Sequence, residues 1–364
     1  MHVKSRYSFH DDYSEGAHPN VIEALSRTNM SQQSGYGEDE YCDAARRAIR
    51  DMIGAAEATI YFTPGGTGAN LVSIASHLRP HEAVISAESG HIVGKEGGAI
   101  EAIGHKVLTG PSVDGKLTPE TVQSIFQGSS EFSYQPKARM VFVSNATEIG
   151  TVYTKRELMA VAAKCKELNL LLCLDGARIG AALASASIPA SEDGMTLTDI
   201  YNLTDVFWIG GTKNGALLGE AVVIKDPAFA KDFPYHLKQR GQFLAKGRIL
   251  GIQFKTLMQD DLFFRLARHA NEVAAEMSIF LARLGYKLWA ATESNQVFVT
   301  FPPALVQELL DDFDFFIWHH LPDGNLVARL VASWATDPLE AKRLCQVVEQ
   351  WTTKHQGLAQ LRFT

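Results

Sequence analysis

Short apolar runs alternate with stretches of helical periodicity through the first two-thirds of the chain. Strand-like runs fall at 58–62, 83–87, 105–108, 138–144, 170–175, 205–210 and 220–224. Several are continuously apolar, as expected of strands covered on both faces. The clearest helix start is Thr154-Lys155-Arg156-Glu157, which has the Thr-x-x-Glu spacing of a capping box, with Leu158, Val161, Ala162 and Leu168 on the buried face. Strand–helix alternation of this density predicts βαβ units and a mostly parallel sheet. The pattern changes near residue 236. A long helical stretch, about 241–284, reads as one or two helices, followed by strands at 296–301 and 326–333 and helices at 303–311 and 338–351. We therefore expect a large α/β domain over 1–240 and a smaller α+β domain over 241–364, packed closely because no linker rich in Pro, Gly or Ser separates them.

Composition narrows the class. The 364 residues, 46% hydrophobic, are enough for one large domain or two and are far too apolar for a disordered chain. A net charge of −7, from 34 basic and 41 acidic residues, argues against a broad nucleic-acid-binding surface but leaves room for a small cationic pocket. Cys42, Cys165, Cys173 and Cys345 are scattered with no CxxC pair, which suits a reducing, cytoplasmic setting. Residues 1–7 lack the apolar stretch of a signal peptide, and no apolar run reaches the ~18–20 residues of a membrane span. No cluster suggests a metal.

Four features lie at or just after strand ends, where open α/β sheets collect ligands. Thr63-Pro64-Gly65-Gly66-Thr67-Gly68-Ala69-Asn70 opens a helix and can cradle a phosphate on bare amides, although it also reads as a plain strand–helix turn. Asp175 ends an apolar strand and needs a cation or a ring N–H; Arg178, three residues on, either holds a ligand or pairs with it. Lys213, flanked by glycines after another apolar run, is a surface lysine or a Schiff-base nucleophile. His91, in Glu88-Ser89-Gly90-His91, is a stacking group, an acid–base group or neither. Taken in order, a phosphate turn, a strand-end Asp and a Lys 38 residues later (213 − 175) form the set that pyridoxal 5'-phosphate (PLP) requires.

Longer segments carry a resemblance: Asp11-Asp12-Tyr13-Ser14, Tyr36-Gly37, Gly65-Gly66-Thr67-Gly68-Ala69-Asn70, Asn145-Ala146-Thr147-Glu148-Ile149-Gly150-Thr151, Asp175-Gly176-Ala177-Arg178, Gly211-Thr212-Lys213-Asn214-Gly215 and Arg329-Leu330-Val331. Over most of its length the chain resembles the L-threonine aldolases, in the β-eliminating lyase group of fold-type-I PLP enzymes. The resemblance implies an aspartate-aminotransferase-like three-layer α/β/α domain with a smaller α+β domain, and a homo-oligomer, dimer or tetramer, with sites at a dimer interface. It implies retro-aldol cleavage of L-threonine, L-allo-threonine or related β-hydroxy-α-amino acids to glycine and an aldehyde.

By the same resemblance Lys213 is the Schiff-base lysine and Asp175 the partner of the pyridine nitrogen. Gly65, Gly66 and Thr67 hold the phosphate, and Thr212 joins the cofactor set. His91 stacks on the ring and is a candidate base, while Glu148 lies beside the ring. Arg178 meets the ring oxygen or the substrate carboxylate, which Arg329 also grips. Tyr36 and the Lys246/Arg248 segment reach a neighbouring subunit's site. Two departures stand out: His10 replaces a serine that many members place near the substrate carboxylate, and the loop at Asn145–Glu148 lacks a histidine found there in many. Transamination or β-elimination on the same cofactor, and a non-catalytic ligand-binding protein on the same scaffold, remain the alternatives. Phe313, Phe315, Phe316 and Trp318 read as core or interface rather than as pocket.

Overall fold

The computed structural model describes residues 6–112, 114–129, 131–187 and 193–361; most of the N-terminal stretch weighed above as a possible leader lies outside them. Twelve strands are present among these residues: β1 (Tyr7–Ser8), β2 (Thr59–Thr63), β3 (Glu82–Ala87), β4 (Val107–Gly110), β5 (Lys137–Ser144), β6 (Leu171–Asp175), β7 (Val206–Gly210), β8 (Glu220–Ile224), β9 (Gln296–Phe301), β10 (Phe313–Asp314), β11 (Phe316–His320) and β12 (Leu326–Val331). The seven strands expected in the first two-thirds form one sheet in the order β2-β8-β7-β6-β5-β3-β4. It is parallel from β4 to β7, and β8 runs antiparallel to both of its neighbours.

Alternation along these strands divides their side chains between two cores. Leu172, Leu174, Phe207 and Ile209 enter one, while Leu171, Cys173, Val206 and Trp208 enter the other. Helices cover both faces, so the strands read as continuous apolar runs. The capping box forms as the sequence predicts, with Thr154 and Glu157 closing the start of the helix Lys155–Glu167. The stretch 241–284 resolves into two helices, Arg248–Leu257 and Leu262–Arg283, separated where Asp260 and Asp261 take positive φ. All four cysteines are buried and none forms a disulfide. Among the described residues, no helix is long and apolar enough to cross a membrane.

A three-stranded antiparallel sheet, β11-β12-β9, packs on a further core together with the short parallel pair β1-β10. Phe9 is buried in that core and its carbonyl accepts from Val331 N–H, so the chain's first described residues sit among its last elements. Strands β1, β10 and β11 have no counterpart in the sequence reading. The aromatic cluster also divides in a way the sequence did not show. Phe313 and Phe315 are core, as expected, whereas Phe316 and Trp318 line a cavity. The reason is the period of two: Phe316 and Trp318 share one face of β11, while Ile317 packs against the core on the other.

The turn after β6 carries Asp175 and Arg178 and leaves no room for a side chain at Gly176. A methyl there would stand 1.8 Å from the Trp208 carbonyl oxygen, an atom of β7 backbone that cannot swing aside. Gly176→Ala should lower unfolding stability by about 3 kcal/mol in denaturant titration, and an unchanged midpoint would contradict the packing described.

Candidate active site

The ends of β2, β5, β6 and β7 open into a cavity of about 460 Å³, closed on its far side by Phe316, Trp318 and Arg329. Every site residue expected from the sequence lines it except Tyr36 and the Lys246/Arg248 segment. Tyr36 sits outside, 42% exposed, with Lys238 Nζ 4.5 Å from its ring centroid. Arg248 likewise points elsewhere, holding the turn at Thr28 and Ser31.

Lys213 follows β7 in a turn anchored on both sides. Asn214 donates to the Phe263 carbonyl at 2.8 Å, and Glu220, at the start of β8, accepts from Gly211 N–H at 3.0 Å and from the Thr212 hydroxyl at 2.7 Å. The Thr212 oxygen also accepts from Gly219 N–H, so this hydroxyl is committed to the turn. Lys213 Nζ itself has no hydrogen bond or ion pair to any described residue. Burial, with Arg178 close by, pulls its pKa below that of an ordinary lysine. The result is an amine presented to the cavity and biased toward its nucleophilic form.

Asp175 is only 4% exposed, and its carboxylate accepts from Asn70 Nδ2 at 3.0 Å and from Ala177 N–H at 2.9 Å. It does not pair with Arg178. That guanidinium makes a bidentate contact with Asp12, Nε to Oδ2 at 2.6 Å and Nη2 to Oδ1 at 3.0 Å, and Asn295 Nδ2 adds a third donor at 2.9 Å. Burial penalises the Asp12 carboxylate, but Arg178 and then Lys213 outweigh it and hold its pKa below the ordinary range.

The helix Gly66–His77 begins after an extended Gly65 with no side chain capping its first amides. A Cβ on Gly66 would stand 3.0 Å from the Trp208 ring, so this position is tight for a side chain, and the backbone of Gly65 and Gly66 faces the cavity. His91 opens the next short helix, with its backbone N–H donating to Glu148 Oε1 at 3.0 Å and its Nδ1 2.9 Å from Glu96 Oε1. Glu148 also accepts from the Ser144 hydroxyl at 2.7 Å; burial, and then the neighbouring Asp175, push its pKa up. Arg329 Nη2 donates to the His10 carbonyl at 3.0 Å, while its buried Nε has no hydrogen-bond partner among the described residues.

An unpaired amine, a bare helix start, a fixed carboxylate and a guanidinium with an unused donor suit PLP carrying an amino acid. Sequence reasoning missed Asp12, Asn70, Glu96, Trp208 and Glu220 as parts of this site. Asp12 and Asn70 stand inside motifs already quoted, and Glu220 is a carboxylate at the head of an apolar strand, which was the available signal.

Residues 11–302 match the model of the beta-eliminating lyases. The chain belongs to that family. It is 34% identical to the low specificity L-threonine aldolase of Pseudomonas sp. (strain NCIMB 10558), over 92% of this chain and 94% of that one. Among solved structures, the threonine aldolase of Leishmania major is 42% identical and covers 95% of this chain and 99% of its own, with a TM-score of 0.92. An aspartate aminotransferase single mutant of Thermus thermophilus, 15% identical, covers 95% of this chain and 91% of its own at a TM-score of 0.68. This beta-eliminating lyase thus has the fold of the fold-type-I PLP enzymes, as the sequence led us to expect.

Burial raises the pKa of Glu220 from about 4.5 to about 8. A carboxyl raised in the folded state contributes stability that is complete below pH 4.5 and is lost as pH rises through 8. The unfolding free energy of Glu220→Gln relative to the unsubstituted protein should therefore be constant below pH 4.5 and improve steadily up to pH 9 in denaturant titrations. A pH-independent difference would exclude the shift.

Proposed function

We propose that this lyase is a PLP-dependent aldolase that cleaves L-threonine, L-allo-threonine and related β-hydroxy-α-amino acids to glycine and an aldehyde. The observation that carries the reading is Lys213 Nζ, partly buried and with no hydrogen bond or ion pair to any described residue, in the cavity that also presents Asp175 and the bare start of the helix Gly66–His77. The names of the two threonine aldolases described above point the same way.

In this reading Lys213 is the covalent anchor of the cofactor. Asp175 receives its pyridine nitrogen, and the first amides after Gly65, those of Gly66 and Thr67, receive its phosphate. When bound, PLP supplies the electron sink that makes cleavage at Cα possible. Arg329 takes the substrate carboxylate: burial, and the repulsion of Arg178, make its charge costly, and an incoming anion relieves both. Arg178, saturated on two nitrogens by Asp12, acts mainly by holding the wall of the site. His10 lies beside Arg329 and borders the same carboxylate space. His91 accepts the β-hydroxyl proton.

We read the enzyme as a homo-oligomer in which exposed Tyr36 serves a neighbouring copy's cavity. The four buried, unbridged cysteines are consistent with a reducing, cytoplasmic setting.

Borohydride treatment of the PLP-loaded protein should fix the cofactor on the peptide containing Lys213. Incubation with L-threonine, L-allo-threonine or phenylserine should yield glycine and aldehyde in equal amounts, and Lys213→Ala should abolish turnover without unfolding the protein. A keto acid in place of aldehyde would move the enzyme to another reaction class. Arg329→Gln should raise KM for threonine about tenfold with a smaller change in kcat, the pattern of a lost binding contact. Asp175→Asn should lower kcat about hundredfold.

A further inference from the structure

A buried carboxylate stands between His91 and Asp175 with no role in the account above. The Glu96 side chain is fully shielded from solvent. Its Oε1 accepts from Asn70 Nδ2 at 2.8 Å and lies 2.9 Å from His91 Nδ1, while Oε2 is buried with no hydrogen-bond partner among the described residues. Burial of a carboxylate is costly unless donors or a cation compensate it, so both contacts on Oε1 matter energetically.

The direction of the Asn70 hydrogen bonds follows from one end of the chain of contacts. Trp208 Nε1–H can only donate, and it reaches Asn70 Oδ1 at 2.9 Å. That contact sets the amide with its oxygen toward the indole and its NH2 toward two carboxylates, Asp175 at 3.0 Å and Glu96 at 2.8 Å. Glu96 Oε1 is thereby used as an acceptor, and as an acceptor toward His91 it pairs with a hydrogen carried on Nδ1. A neutral imidazole carrying its hydrogen there has a lone pair on Nε2. The ring lines the cavity with its side chain 34% exposed, and its Nε2 has no hydrogen bond to any described residue. The backbone N–H of His91, tied to Glu148, holds the residue in place from the other side.

We propose that Glu96 is a positioning residue for the cleavage reaction: supported by Asn70 and Trp208, it keeps His91 in the Nδ1–H form, so that Nε2 is free to take the β-hydroxyl proton. The proposal rests on the aldolase reading and assigns it a proton path. The substrate O–H bond breaks and its proton goes to Nε2. The O–H electron pair becomes the second bond of the aldehyde carbonyl, and the Cα–Cβ pair stays with the glycine fragment, which takes up one proton. The imidazolium so formed then carries a hydrogen on each nitrogen and stands in contact with a carboxylate already in place.

Two measurements test this. With histidine labelled by 15N, and the His91 signals identified by their loss in His91→Asn, the neutral ring should be protonated at Nδ1 in the unsubstituted protein, with or without PLP. Glu96→Leu should move it to a mixture or to the Nε2–H form. An Nε2–H ring in the unsubstituted protein would overturn the proposal whatever the enzyme does.

In the PLP-loaded enzyme, Glu96→Leu should lower kcat for phenylserine cleavage about ten- to hundredfold with KM little changed, the scale of a misplaced general base. Glu96→Gln keeps an acceptor without the charge and should fall between, which preserves the test if the leucine variant folds poorly. Across para-substituted phenylserines, the ratio of unsubstituted to variant kcat should shrink as the β-hydroxyl becomes more acidic and needs its base less. An equal loss at every substituent, or none, would mean that Glu96 does not act through proton transfer. Failure of the aldolase reading looks different: no aldehyde from the unsubstituted enzyme, or no borohydride label on Lys213.

Discussion

The ion pair between Asp12 and Arg178 is the contact on which the cavity depends. Asp12 follows a segment whose Phe9 is buried beside β12, Arg178 follows β6 in the large sheet, and Asn295 precedes β9. Three segments from two separate cores therefore converge on one carboxylate with no exposure to solvent. Each charge alone would be expensive there, and losing one partner of such a pair typically costs about 3–5 kcal/mol. The two sheets are thereby held at a set distance, and the cavity is the space between them. The same pair engages Nε and Nη2 of Arg178, whereas the buried Nε of Arg329 has no hydrogen-bond partner among the described residues.

Charge inside this space is arranged against the solvent rather than with it. Burial pulls Lys213 and Arg329 toward neutrality from the basic side and pushes Glu148 and Glu220 toward it from the acidic side. Of these, the two basic groups, Lys213 and Arg329, are the ones that gain when an anion arrives. The net charge of −7 says nothing of this, because the relevant charges are a handful of side chains within one cavity. Asn70 joins the pieces: its amide donates to Asp175 and Glu96 and accepts from Trp208, so the end of β6, the turn after β3 and a β7 side chain share one residue.

Much of this was legible beforehand. The apolar runs lie within a residue or two of the strands, because a strand buried on both faces must be apolar at every position. Asp175 and Lys213 were both recognisable, since a charged residue closing such a run has to meet something. Other features were not. Whether Arg178 paired with Asp175 or with another group depended on Asp12, which lies 166 residues away and reaches it only through the packing of Phe9 into a different core. Phe316 and Trp318 are apolar wherever they sit, and only the facing of β11 turns them toward the cavity.

The sequence by itself determined the layered α/β architecture and the order of phosphate turn, carboxylate and lysine, because periodicity and strand-end position are local properties of the chain. Tertiary structure alone decided the partners: Asp12 for Arg178, Asn70 for Asp175, Glu220 for Thr212 and Glu96 for His91. A hydrogen bond needs two atoms within about 3 Å, and for residues far apart in the chain that distance is set by how the cores pack. The sequence named the groups that could react; the fold chose which were silenced by a partner and which were left open to a ligand.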